Sequence, residues 1–318
     1  VLIKENDITT LRRYVKMSFT ATAVKSMPDI DAAERKFLIP ILTQPVFNAL
    51  QAEVDANDAT WSTLLNLCRA AIAPLALWLD LPFMQASIED GGIKTTHSDN
   101  KEAAHQWEYR QIETALVNKG MAALEDLIDH LLVNGSNYEW QDRADDNSIF
   151  RTGKDFSRYV YLHQPNLTFQ QLKPLVKEVE DHFIRPAIGD AFYNSLALLS
   201  TPGEGEIKAI QLIKKAVANY TVVRAVERLP VKITPYGLMA SLQNNTEGKA
   251  DAPAKDNQLS LLMTSSQREA DAYLFQLMEY LNKTASALVF NTFFTSAYYI
   301  IRLNKIDGNY LRKGVCAL

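Results

Sequence analysis

Glu102, His105 and Glu108 have the residue types and spacing of a metal-ligand set. Glu-x-x-His on a helix puts a carboxylate and an imidazole on one face, and Glu108 adds a third group one turn further on. A di-metal carboxylate bundle needs two such motifs plus further glutamates from facing helices. The chain has no second Glu-x-x-His where a repeated unit would place one. The pattern therefore reads as a solvated helix face, and no metal is expected.

Two further acid–histidine pairs, Asp126 with His130 and Glu178 with His182, are spaced four apart. Such pairs are common supports on helix surfaces. The Gly-Glu-Gly-Glu run at 203–206 precedes a helical pattern, but its two carboxylates would repel phosphate and it lacks the Gly-Lys-Ser/Thr of a P-loop. It reads as a flexible loop and an acidic helix start. No nucleophile elbow, zincin helix or Cys/His ligand set is present. The expectation is a non-enzymatic protein with no catalytic residues and no cofactor.

The bulk properties fit that expectation. The chain has 318 residues, 47% of them hydrophobic and 22% charged, which suits a globular protein of two ordinary domains. Its formal net charge is −4, and its basic clusters are no longer than Arg12-Arg13 and Lys214-Lys215, so sequence-specific nucleic-acid binding is not expected. Cys68 lies in an apolar helical run and Cys316 near the end, with no disulfide framework, which fits a reducing compartment. No run of 18 apolar residues occurs, so no membrane span is expected. The chain begins at Val1, so removal of an initiator Met or something longer is expected.

The elements that would position any site come in two sets. FLIPILTQPVFNAL at 37–50 is answered by FIRPAIGDAFYNSL at 183–196. Phe37, Pro40, Asn48 and Leu50 match Phe183, Pro186, Asn194 and Leu196 at an offset of 146. Arg13-Tyr14-Val15 matches Arg158-Tyr159-Val160, Leu81-Pro82 matches Leu229-Pro230, and Gly92 matches Gly237. Ordered matches at a nearly constant offset mark a tandem duplication.

Each copy predicts the same series. A helix meets a break at Pro40 or Pro186, because proline lacks an N–H and clashes one turn back. Pro186 and Gly189 mark the corner in the second copy. A short helix follows, then a long one. In the first copy its stripe is Leu64, Leu67, Ala71, Leu75 and Trp78, with a kink at Pro74; in the second it is Ile207, Ile210, Lys214, Val217, Tyr220 and Arg224. Each long helix should end at Leu-Pro and lead into a hairpin, turning at Asp90-Gly91 or at Pro235-Tyr236-Gly237. A third helix is expected over about 99–133 and 264–290, the second after a long polar connector near 243–258. The fold class is mainly α: two tandem homologous helical domains, 1–140 and 141–318, each of three to four helices with one small β-hairpin.

The segment 287–304 gathers Phe290, Phe293, Phe294, Tyr298, Tyr299, Ile300 and Ile301. The plain reading is the core end of the last helix followed by a final strand. The functional one is an assembly element. Candidate interface residues are Gly91, Gly92, Tyr236 and Gly237 in the hairpins and Phe293, Phe294, Tyr298 and Tyr299 near the C-terminus.

On ERKFLIPILTQPVFNAL, the Leu-Pro hairpin with its Gly-Ile at 81–93 and FIRPAIGDAFYNSL, the chain resembles an uncharacterised family of proteins from Bacteroidetes phages and prophages. Thr43-Gln44-Pro45 stands where that family usually has Gly-Asp/Glu, while Gly189-Asp190 keeps the pattern. Each copy is also distantly similar to the head–tail connector proteins of tailed phages. That resemblance implies a virion structural protein, a neck adaptor assembling as a homo-oligomeric ring against portal and tail proteins. It implies a place in the virion neck, or in the host cytoplasm during assembly. The alternatives are a non-viral helical scaffold and, more weakly, an enzyme with a dispersed metal site at Glu102, His105 and Glu108.

Overall fold

The computed structural model describes residues 1–4, 7–15, 27–56, 58, 60–89, 92–95, 106–141, 147–229, 231–234, 237–240 and 256–300. The architecture is mainly α and divides into two compact units, Val1–Arg143 and Ala144–Leu318.

In the first unit an arm at Val1–Lys4 precedes α1 (Ile8–Tyr14), whose start is capped by the Asp7 carboxylate accepting the Thr10 N–H at 3.0 Å. Helix α2 (Met27–Ala33) runs directly into a π-turn, Glu34–Leu38, and then into α3 (Ile39–Leu42). The widened turn is the local answer to Pro40. The Ile39 N–H reaches back five residues to the Glu34 carbonyl, giving the chain room where the proline ring would otherwise clash. A corner at Thr43 leads to α4 (Gln44–Ala56) and then to α5 (Ser62–Gln85). Short strands β1 (Ala86–Glu89) and β2 (Gly92–Thr95) pair antiparallel, Ile88 opposite Ile93. Helix α6 (Gln106–Asn134) packs along α5, and a 3-10 turn at Gly135–Tyr138 closes the unit. Leu38, Leu42, Leu50, Leu64, Cys68, Ile72, Leu75, Leu127 and Ile128 are sealed in its core. Gly120 belongs to the α5–α6 crossing, where a Cβ would come within 2.5 Å of Leu75 Cγ.

One expectation fails in α5. The helix does not stop at Leu81-Pro82 but continues through Pro74 and Pro82 to Gln85. Its stretch Ser62–Met84 is also long and apolar enough to cross a membrane by length and composition, although more than half of it is buried within the unit. Asn66, Arg69 and Asp80 interrupt any unbroken apolar run without making the average polar. A core helix that packs against α2 on one side and α6 on another meets the same description.

The second unit repeats the series. The arm at 147–152 leads to α7 (Gly153–Ser157), then α8 (Pro165–Val179), a π-turn at Glu180–Ile184, α9 (Arg185–Ile188), a corner at Gly189, α10 (Asp190–Ala197) and α11 (Glu204–Arg228). The Arg185 N–H again reaches the carbonyl five residues back, at Glu180. Strands β3 (Val231–Thr234) and β4 (Gly237–Ala240) pair antiparallel, Ile233 opposite Leu238. Helix α12 (Asp256–Thr284) packs along α11, with the Tyr220 hydroxyl donating to Asp271 Oδ1 at 2.6 Å. Its core joins Phe150, Phe156, Phe169, Val179, Ile188, Phe192, Tyr193, Val217 and Leu277.

The last helix also departs from expectation. It spans Asp256–Thr284 rather than 264–290, and no strand follows among the described residues. The chain turns at Ser286–Phe290, where Phe290 takes a left-handed φ of 56°, and forms α13 (Asn291–Phe294). That turn brings Phe290 and Phe293 against Phe192 of α10, at ring-centroid distances of 5.6 and 5.3 Å. Burying these rings outweighs continuing the helix.

Candidate functional site

Glu102 and His105 lie outside the described residues, as do Gly91, Tyr236, Cys316 and most of the 243–258 connector. Glu108 is half-buried on α6. No group of three or more His, Cys, Asp or Glu among the described residues is placed to hold a metal.

The acid–histidine pairs take structural parts. His130 Nε2 lies 2.9 Å from the Tyr138 hydroxyl and Nδ1 3.3 Å from the Asn134 amide, while Tyr138 meets Trp61 edge-on at 5.3 Å. His130 thus ties the closing turn back to α6. His182 Nδ1 stands 3.9 Å from Glu178, whose carboxylate also holds Arg228 and Arg224 of α11. The Gly-Glu-Gly-Glu run is the start of α11, where Glu206 Oε2 accepts the Gly203 N–H at 2.7 Å.

The repeat residues occupy matching places in their units. Pro40 and Pro186 are each the second residue of a four-residue helix, directly after a π-turn. Leu50 and Leu196 are buried on α4 and α10. Asn48 accepts from Gln44 Nε2 at 2.8 Å, and Asn194 from Arg185 Nη1 at 3.1 Å. Phe37 is buried near Trp78, whereas Phe183 is half-buried and stacked on Tyr220 at 4.4 Å. The corner backbone is the same in both units: φ 73° and ψ 155° at Thr43, φ 85° and ψ 142° at Gly189.

The most informative residues are two glutamates outside the candidates named from the sequence. Glu34 opens the first π-turn and Glu180 the second, and both are buried, at 1% and 0% exposure. Glu34 Oε1 accepts the Leu2 N–H at 2.6 Å, and the Leu2 carbonyl accepts from Arg69 Nε at 2.9 Å. Glu180 Oε1 accepts the Ile149 N–H at 3.0 Å and the Ser148 hydroxyl at 2.8 Å. The Ile149 N–H is shared with the Tyr193 hydroxyl oxygen at 3.1 Å, and Arg185 stacks over the Tyr193 ring at 4.3 Å. In each unit a buried carboxylate grips the backbone of the arm that precedes the first helix.

Burial raises both carboxyls above the ordinary glutamate range. The Leu2 N–H and then the Val1 ammonium oppose this at Glu34; at Glu180 the Ile149 N–H, Ser148, Tyr193 and the Lys177 charge do so. Burial and the neighbouring Glu180 push the Tyr193 phenol up as well. Sealed from solvent, these carboxyls have no access to a substrate, and the chemistry open to them is to hold or give up a proton. A signal for them existed in the sequence: E-R-K-F-L-I-P and E-D-H-F-I-R-P place a glutamate six residues before each repeat proline.

The C-terminal interface candidates divide. Phe293 is fully buried, so it belongs to the core rather than to a surface. Phe294 and Tyr299 are half-buried and pack on each other at 4.8 Å. Tyr298 is exposed on one side and covers Gly189 with the other, where a Cβ would come within 2.7 Å of its ring. Gly92 and Gly237 open β2 and β4.

A duplicated helical module with a matched buried carboxylate in each half is thus the class of protein that the fold defines. The chain belongs to the family described as a family of unknown function, DUF6712, whose model matches it twice, over residues 38–148 and 184–302. Both matches begin on the last residue of a π-turn, Leu38 and Ile184. No curated protein and no solved structure matches the chain.

Proposed function

We propose that this protein is a non-enzymatic structural protein of a tailed-phage particle, a head–tail connector that assembles as a ring in the neck and touches portal and tail proteins. Three features support the reading: the resemblance carried by the Pro40 and Pro186 segments, the doubling of one helical module, and the apolar side chains left at the surface.

The last of these carries it. In the second unit Leu198, Ile207, Leu288, Val289, Tyr298 and Ile300 are exposed, Leu288 at 95%. In the first, Phe83, Trp107 and Ile112 are exposed where α5 ends and α6 begins. Scattered apolar surface is ordinary, but several large side chains on neighbouring segments suit contact with another protein. The paired strands β1–β2 and β3–β4, with Gly92 and Gly237, are further docking candidates on this reading. Native mass spectrometry and negative-stain microscopy of the purified chain test it. A closed ring, or binding to purified portal and tail proteins of a tailed phage, is the expected result. A strict monomer that binds neither overturns the proposal.

A further inference from the structure

The Glu180 carboxyl is fully buried and lacks a compensating cation. Its Oε1 is engaged by Ile149 and Ser148, whereas Oε2 is buried with no partner at hydrogen-bond geometry. Every described cation around it is committed elsewhere. Lys177 of α8, which acts on Glu180 through space, pairs with Asp181 at 3.4 Å. Arg185 of α9 lies on the Tyr193 ring, is ion-paired with Asp181 and donates through Nη1 to Asp190 and Asn194, while its buried Nε has no partner at hydrogen-bond geometry. On α11, Lys214 pairs with Asp155, and Arg224 with Glu178 and Glu227. From α10 the facing titratable group is Tyr193, a neutral phenol that burial keeps protonated. A buried carboxyl in such a setting is cheaper neutral than charged.

What seals Glu180 on one side is the arm itself. Ser148, Ile149 and Phe150 are all buried. We propose that the arm Ser148–Phe150 and Glu180 form a proton-linked latch: the arm docks with uptake of one proton by the Glu180 carboxyl, and opening releases that proton to solvent. Once the arm lifts, water reaches the carboxyl and it ionises as an ordinary glutamate does. The latch is therefore tighter in mild acid and looser toward neutral pH. Glu34 makes the matching arm contact in the first unit, but with the Val1 ammonium 4.0 Å from its Oε2 and with Arg69 giving the Leu2 carbonyl a second hold.

Hydrogen exchange of the Ile149 and Phe150 amides in the full chain, from pH 5 to 8 and corrected for intrinsic exchange, tests the latch. Opening is expected to rise by up to about tenfold per pH unit while the docked carboxyl keeps its proton and the open one does not. Glu180→Gln should abolish the slope, and Glu178→Gln, at the α8–α11 contact, should keep it. A flat wild-type profile, or the same slope in Glu180→Gln, overturns the proposal. If Glu180→Gln does not fold, carbon-13 titration of the Glu180 carboxyl in the wild-type chain decides. Titration above the ordinary glutamate range supports the latch, and a carboxyl already ionised at pH 4.5 overturns it.

Discussion

Glu34 and Glu180 hold the same post in their units: each is the first residue of a π-turn, sealed from solvent, accepting a backbone N–H from the arm before the first helix. Each turn ends just before the residue preceding the repeat proline, so the widened turn accommodates Pro40 or Pro186 and aims the glutamate inward at once.

The shared raised direction fixes a sign for stability. A carboxyl whose folded-state pKa lies above its unfolded value favours folding below the ordinary carboxyl range, and that contribution is lost as pH rises through the folded value. The wild-type chain should therefore lose stability from mild acid toward neutral pH relative to a Glu34→Gln/Glu180→Gln variant, by on the order of 1 kcal/mol per site. Urea unfolding from pH 4.5 to 8 measures it. Parallel profiles for the two chains would refute the assignment.

Thr43 and Gly189 make the same corner with unequal ease. A φ of 73° with a ψ of 155° is a region that glycine enters freely and a β-branched residue does not. Thr43→Gly should stabilise the first unit by about 1 kcal/mol, after allowing for the extra freedom glycine gives the unfolded chain. Gly189→Ala should do the opposite by about 2 kcal/mol or more, because the new Cβ would also meet the Tyr298 ring at 2.7 Å. Thermal unfolding of the two variants should move in opposite directions.

Tyr193 offers a contrast within the repeat, since Phe47 stands at the matching place on α4 and has no hydroxyl. Tyr193→Phe removes a donor from beside Glu180 and one of two acceptors from the Ile149 N–H. The remaining Glu180 bond limits the loss to about 0.5–1.5 kcal/mol. With one donor fewer, the Glu180 carboxyl should titrate higher still. Carbon-13 titration reads this directly, and a lower value in the variant would count against the Tyr193 hydroxyl lying beside Glu180.

The duplication and the proline corners were legible because they rest on rare residues in fixed order: Pro40 with Pro186, Asn48 with Asn194. The buried glutamates were not, because a glutamate in a helical stretch normally marks the wet face. Only the shared six-residue spacing from the repeat prolines marks them, and spacing does not tell that a π-turn will rotate them inward. The continuation of α5 through Pro82 escaped for a related reason, since tertiary packing against α2 and α6 overrides the local break that proline predicts. His130 likewise looked paired with Asp126 by spacing, while its partner Tyr138 comes from a turn that only the folded chain brings back.

Asp29 on α2 and Asp80 on α5 share a carboxyl–carboxyl hydrogen bond, and both titrate above the ordinary aspartate range. Burial is the main cause at each, and at Asp80 the Asp29 charge adds to it. At neutral pH the pair therefore opposes the α2–α5 contact. Because both folded values are raised, its favourable contribution is present below the ordinary carboxyl range and disappears as pH rises through them. Asp80→Asn removes one charge and leaves an amide able to donate to Asp29. Both groups are partly exposed, so solvent screening keeps the expected gain to a few tenths of a kcal/mol at pH 7. The gain should shrink toward zero near pH 4, where the wild-type pair has taken up its protons. Unfolding midpoints of the two chains at pH 4 and pH 7 measure it, and equal or lower stability of Asp80→Asn at pH 7 would show that the pair is not strained by charge.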